Sequence, residues 1–283
     1  MSDPTVVGRD ALAGARVALS VSASGDLSRL GLSEKHCELV VAEVVRSIIL
    51  AGGTVVYGGR LKPEGYTRIL LEEAGRYHNN RVAVELCVPE SEYRKLDAGE
   101  LERIDQRLGV AGRLVLVAAS GAAVSLGNAL DGEADLDPAR GLTSMRTLIS
   151  QSTDARVVVG GKLVDFAGVE PGLIEEARMS ASFGKPVYLA GGYGGAGAAL
   201  AKFLHPDDFA DWAPSDFPVH GDDRAVAEAL QRFELEHRSN QVELGFDENA
   251  RRQLASSHRP ADIATLVVRG LAAALAGRAG SGE

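Results

Sequence analysis

Short apolar runs that end in glycine or small polar residues and lead into helix-forming segments recur along this chain. That alternation constrains the fold more than any other feature. Residues 17–21 form a short, mostly apolar run that closes on Ser22-Ala23-Ser24-Gly25. Ser33 is placed to cap a helix that runs to Leu50, with Cys37, Val41, Val44, Val45 and Ile48 at helical spacing. Gly52-Gly53 stops it. The spacing then predicts strands at 54–57, 82–88, 114–118, 157–159 and 187–189, and helices at 63–76, 98–108, 143–151, 173–183 and 196–203. Apolar strands without polar alternation are buried on both faces. Strands that alternate with helices imply a parallel sheet covered on both sides, a Rossmann-like, doubly wound α/β fold.

The pattern changes after His205. Residues 206–221 are acidic, carry three prolines and the only tryptophan, Trp212, and are expected as a loop. Helices are expected at 224–236, 248–256 and 261–276, followed by a frayed end from Gly277. The chain therefore divides into a Rossmann-like domain at 1–205 and an acidic loop with a helical extension at 206–283. No repeat of fixed period is visible.

Charge narrows the partners. Thirty Lys and Arg against 39 Asp and Glu give a formal net charge of −9. An acidic chain without a basic run is a poor general binder of polyanions, so no nucleic acid is expected. A small phosphate-bearing ligand remains compatible. Cys37 and Cys87 lie in apolar stretches and read as buried thiols. The six histidines are scattered without metal-ligand spacing, and no metal or cofactor is expected. The acidic first residues lead into no apolar block. The apolar run at 263–276 contains Arg269 and is too short to span a membrane, so a cytoplasmic protein without membrane contact is expected.

Glycine is enriched, at 33 of 283 residues, above a usual share of about 7%. Ten of the 33 fall between residues 160 and 197. In an open parallel sheet, ligands bind outside the carboxyl ends of the strands, where these glycines fall. Gly58-Gly59-Arg60, Gly160-Gly161-Lys162 and Gly191-Gly192-Tyr193-Gly194-Gly195 each follow a strand. Each would bring backbone N–H groups close to a phosphate or ribose, and each is equally a tight turn. A dinucleotide fingerprint, a Walker A sequence and a nucleophile elbow are all missing. At the first strand end, the Ser22 and Ser24 hydroxyls stand where a fingerprint would offer glycines. The densest candidate set combines Arg146, Gly160, Gly161, Lys162, Pro171, Gly172, Glu175 and Glu176, with Gly59 and Arg60. Arg146 offers a fork for phosphate, Lys162 a point cation, and the glutamates acceptors for ribose hydroxyls or a base amine.

These motifs resemble the SLOG superfamily, Rossmann-like proteins that bind nucleotides or nucleotide-derived signals. Val56-Tyr57-Gly58-Gly59 is similar to the Tyr-Gly-Gly of LOG-type proteins, and Pro171-Gly172 to the start of their Pro-Gly-Gly-x-Gly-Thr-x-x-Glu motif. Here Leu173 replaces the next glycine, Gly-Thr is absent and the glutamates come sooner, which departs from the phosphoribohydrolase pattern. The order Met145-Arg146, Gly160-Gly161-Lys162, Pro171-Gly172 with Glu175-Glu176, and Gly191-Gly192-Tyr193-Gly194-Gly195 is closer to SLOG domains found beside TIR or sirtuin-like effectors in bacterial antiphage defence. The likeness covers roughly residues 15–205. It implies a sensor of ADP-ribose-like signals, such as cyclic ADP-ribose, that binds through Arg146, Lys162 and Glu175 or Glu176. It also implies a homo-oligomer. The stretch before the first strand is too short for an effector domain, so output is expected from self-association, a separate effector protein or the C-terminal helices. The alternative is an enzyme acting on an N-glycosidic bond, such as a nucleoside-monophosphate phosphoribohydrolase, with Glu175 or Glu176 as its carboxylate.

Overall fold

The computed structural model describes residues 7–59, 64–132, 136–166, 169–210, 223–240 and 243–280. In chain order the elements are β1 (Arg16–Ser22), α1 (Glu34–Leu50), β2 (Thr54–Gly58), α2 (Gly65–Tyr77), β3 (Val84–Pro89), α3 (Glu90–Tyr93), α4 (Ala98–Leu108), β4 (Gly112–Val117), β5 (Ala123–Val124), α5 (Pro138–Ser152), β6 (Ala155–Gly160), α6 (Gly172–Ser182), β7 (Val187–Ala190), α7 (Gly195–Leu204), α8 (Arg224–Asn240), α9 (Glu248–Ser256) and α10 (Pro260–Gly280).

Seven strands form one sheet in the order β5-β4-β3-β2-β1-β6-β7. The pairs are parallel except at the edge, where two-residue β5 runs antiparallel to β4. Strand β1 lies between β2 and β6, with Val17 opposite both Val55 and Ala155. The chain builds outward on one side of β1, then returns to build on the other. The resulting crevice at the carboxyl ends of β1 and β6 is the topological switch point, the usual ligand position of such sheets.

Both faces of the sheet are buried, as expected. Val17, Leu19 and Val21 of β1 and Val157 and Val159 of β6 join a core with α1, α2 and α10. On the opposite face Ala18 packs with Met145 and Ile149 of α5, and Val158 with residues of α6, α7 and α8. Local chemistry sets the helix ends. The Ser33 N–H donates to His36 Nδ1 at 3.0 Å. Asp97 accepts the Glu100 N–H at 2.7 Å. The Asp137 carboxylate accepts from Ala139 N at 3.0 Å, so α5 starts at Pro138, five residues before its apolar stripe becomes legible.

The helical extension shares these cores. Ile263, Val267 and Leu271 of α10 pack with α1, while Val226, Leu230 and Phe233 of α8 pack with α6. Helix α10 runs to Gly280, past the expected fraying point. By length and composition it could cross a membrane, which corrects the expectation drawn from residues 263–276 alone. Its apolar face is instead occupied by α1. Most of the expected acidic loop, with Trp212, lies outside the described residues.

Candidate functional site

The residues singled out in the sequence separate into two groups at the carboxyl edge. One group is a junction of backbone loops. Gly160 ends β6, and a Cβ there would lie 2.5 Å from the Ser22 carbonyl oxygen. Gly161 has φ +108°, and its N–H donates to that same oxygen at 2.9 Å. Its own carbonyl accepts from Ala196 N at 3.2 Å. Gly195, at φ +58°, sits directly on the Gly161 carbonyl. Ser24 and Asp26 close the junction from the β1 side. The Asp26 N–H donates to Ser24 Oγ at 2.9 Å, and Asp26 Oδ2 accepts the Gly195 N–H at 2.7 Å. A carboxylate at the first turn of α7 satisfies an amide that helix geometry leaves without a partner. The turn at Gly191 and Gly192 is covered by the carbonyls of Ala255, in the last turn of α9, and Ser257, just beyond it. Several of the N–H groups expected to cradle phosphate are thus bonded within the protein. Ser22 is half-buried, and Lys162 is exposed beside the junction.

The second group lies between α5 and α6. Arg146 donates through Nη1 to Glu175 Oε2 and through Nε to Glu176 Oε1 at 3.3 Å. Its Nη2 lies against Gly172, where a Cβ would approach to 2.6 Å. Pro171 and Gly172 open α6, which places the guanidinium edge at that helix's first turn. Beneath it is a residue that no motif marks. Arg156 has a side chain 1% exposed, and all three of its nitrogens are engaged. Nε donates to Ser180 Oγ at 2.7 Å and Nη2 to Ser150 Oγ at 3.0 Å. Nη1 reaches Ser20 Oγ at 2.6 Å and Glu176 Oε2 at 2.9 Å. Ser20 in turn donates to Glu176 Oε2. Thr143 Oγ1 donates to Glu175 Oε1 at 3.2 Å.

The four ionised side chains sum to zero charge. Burial presses the Arg156 pKa downward, and Glu176 opposes that shift. A guanidinium still stays protonated. One signal for Arg156 was present in the sequence: an arginine inside the otherwise apolar strand 155–160 has to meet a carboxylate or a set of acceptors. Ser20, Ser150 and Ser180 carry no such mark, because the tertiary fold alone brings them together.

Gly59 follows β2, where a side chain would strike the Tyr57 ring. Arg60 lies outside the described residues. A cleft of about 540 Å³ opens at the ends of β3 and β4, lined in part by Arg94, Ala118, Ser120 and Arg140. Arg140 and Arg146 stand six residues apart on α5, or about 9 Å along its axis. Among the described residues no group of three or more metal-type side chains gathers.

A family model described as SLOG cluster2 matches residues 11–218. No curated protein and no solved structure matches the chain.

Proposed function

The chain belongs to the SLOG cluster2 family, and from that premise we propose that it is a sensor of a nucleotide-derived ligand of the ADP-ribose type. The observation that carries this reading is the Arg146 guanidinium. It faces the first turn of α6 across Gly172, with Glu175 and Glu176 beside it. A phosphate there meets a charged fork and a helix N-terminus together, and ribose hydroxyls meet carboxylate acceptors. Lys162 and Ser22 stand at the neighbouring strand ends. The cleft at β3 and β4 has a volume suited to the distal part of a nucleotide. Both glutamates are held by guanidinium groups, an arrangement suited to recognition more than to attack on a glycosidic bond.

Calorimetric titration of the full chain with ADP-ribose, cyclic ADP-ribose, NAD and AMP tests the reading. Binding of at least one ligand without turnover is expected. Arg146→Ala should weaken it about 10- to 100-fold, the equivalent of one charge-assisted hydrogen bond. No binding across the panel sinks the proposal, and release of free base would replace it with an enzyme. Output then falls to self-association or to a separate effector protein. Sedimentation with and without the bound ligand separates these two.

A further inference from the structure

We propose that Arg156 is a fixed counter-charge that holds the Glu176 carboxylate from below, so that Arg146 can turn from the glutamates to an anionic ligand. The inference rests on the reading above, in which Arg146 and Glu176 meet the ligand. It follows from an asymmetry within the four-charge cluster. Arg156 is almost fully buried and bonded at every nitrogen, to Ser20, Ser150, Ser180 and Glu176. It has no room to move and no reason to. Arg146 is 13% exposed and, among the described residues, bonded through two nitrogens, with its Nη2 edge on Gly172.

The two glutamates differ in what they keep when Arg146 leaves. Glu176 retains Arg156 and the Ser20 hydroxyl. Among the described residues Glu175 retains only Thr143 Oγ1, at 3.2 Å. An isolated carboxylate in a mostly buried position is costly unless new donors reach it. A bare anion brings none. A ligand with hydroxyls next to its phosphate brings them in the same step. The geometry thus points to ribose phosphates over free phosphate as the class selected, with Arg156 as the positioning residue that makes the exchange possible.

The test is calorimetric titration of the full chain with ribose 5-phosphate and with inorganic phosphate. The wild-type protein should bind ribose 5-phosphate at least tenfold more tightly. In Arg156→Gln, Arg146 becomes the only cation left for Glu176 among the described residues and stays on it, so both ligands should weaken tenfold or more. The double variant Arg156→Gln/Glu176→Gln restores charge balance. It should regain phosphate binding to within about threefold of wild type, and it should keep the preference for ribose 5-phosphate, because Glu175 and Thr143 are unchanged. Recovery on removing a second charge is not what a purely structural role would give.

Wild-type phosphate affinity in Arg156→Gln overturns the inference, as does a double variant no better than the single. If Arg156→Gln fails to fold, the charge-balanced double variant still decides. Phosphate binding near the wild-type level there, with the ribose preference kept, supports the proposal, and phosphate binding tenfold or more below wild type counts against it. Failure of the wild-type protein to bind either probe removes the site reading itself. Binding that is indifferent to Arg156 removes only this inference.

Discussion

Two glycine-bearing regions lie side by side at the carboxyl edge of the sheet, and they differ in what surrounds the glycines. At the junction of β1, β6 and α7, Gly160, Gly161 and Gly195 let three backbone segments touch, and protein groups consume the Gly161 and Gly195 amides. Between α5 and α6, Gly172 lies against the tip of a side chain, Arg146 Nη2. A glycine against backbone is a packing requirement, because backbone cannot step aside. A glycine against a flexible cation leaves a space that a ligand could share. The same residue type at the same strand ends therefore serves two ends, and only the neighbour tells them apart.

This contrast can be broken by substitution, beginning with the buried ion that underlies the second region. Arg156→Met should cost about 3–5 kcal/mol in urea unfolding, since it strands buried hydroxyls and half of the Glu176 pairing. A loss below about 1 kcal/mol would mean that the cluster is not a unit. Next comes the junction. Gly195→Ala combines a positive φ with direct overlap on the Gly161 carbonyl, and should cost about 2–4 kcal/mol. Gly172→Ala should change stability by under about 1 kcal/mol, because Arg146 can shift, while weakening binding of the proposed ligand. Equal stability losses in the two glycine variants would erase the distinction drawn here.

The smallest expected effect lies outside both regions. His205 accepts a hydrogen bond through Nδ1 from Arg251 Nη1 at 2.8 Å, because a guanidinium only donates. Burial, with Arg251 next, lowers the His205 pKa, and burial followed by Arg238 lowers that of His237. Asp208 and Glu248 oppose the shift at His205. The unfolded chain thus takes up protons at these sites at a higher pH than the folded one. Stability should be full above the ordinary histidine value of about 6.5 and should fall as pH drops below it, toward the lowered folded values. Thermal melts between pH 8 and 5 check the sign. A protein that gains stability on acidification through this window would contradict the assignment, and His205→Gln should flatten the slope.

Much of the scaffold is legible residue by residue. The apolar runs at 17–21 and 157–159, and the periodicity from Cys37 to Ile48, correspond to β1, β6 and α1. Ser33 caps α1, and Pro171 and Gly172 open α6. Two-residue β5 escapes detection because a strand that short has no period. The early start of α5 escapes because polar capping at Asp137 and Pro138, not an apolar stripe, defines its first turn. At the candidate site, Arg146, Glu175 and Glu176 come together as their order along the chain suggests. Asp26 shows the limit. It closes the α7 N-terminus across 169 positions of sequence, and nothing local announces such a contact.

The sequence by itself determined the alternation of strands and helices, the burial of both sheet faces and the concentration of glycine at strand ends. Those follow from periodicity and backbone sterics, which act over a few neighbouring residues. Tertiary structure alone decided the strand order that places β6 beside β1. It also decided which glycine amides the protein consumes, and that Ser20, Ser150, Ser180 and Glu176 converge on Arg156. Hydrogen bonds and ion pairs depend on distance in space. Residues far apart in the chain acquire that proximity only when the sheet assembles.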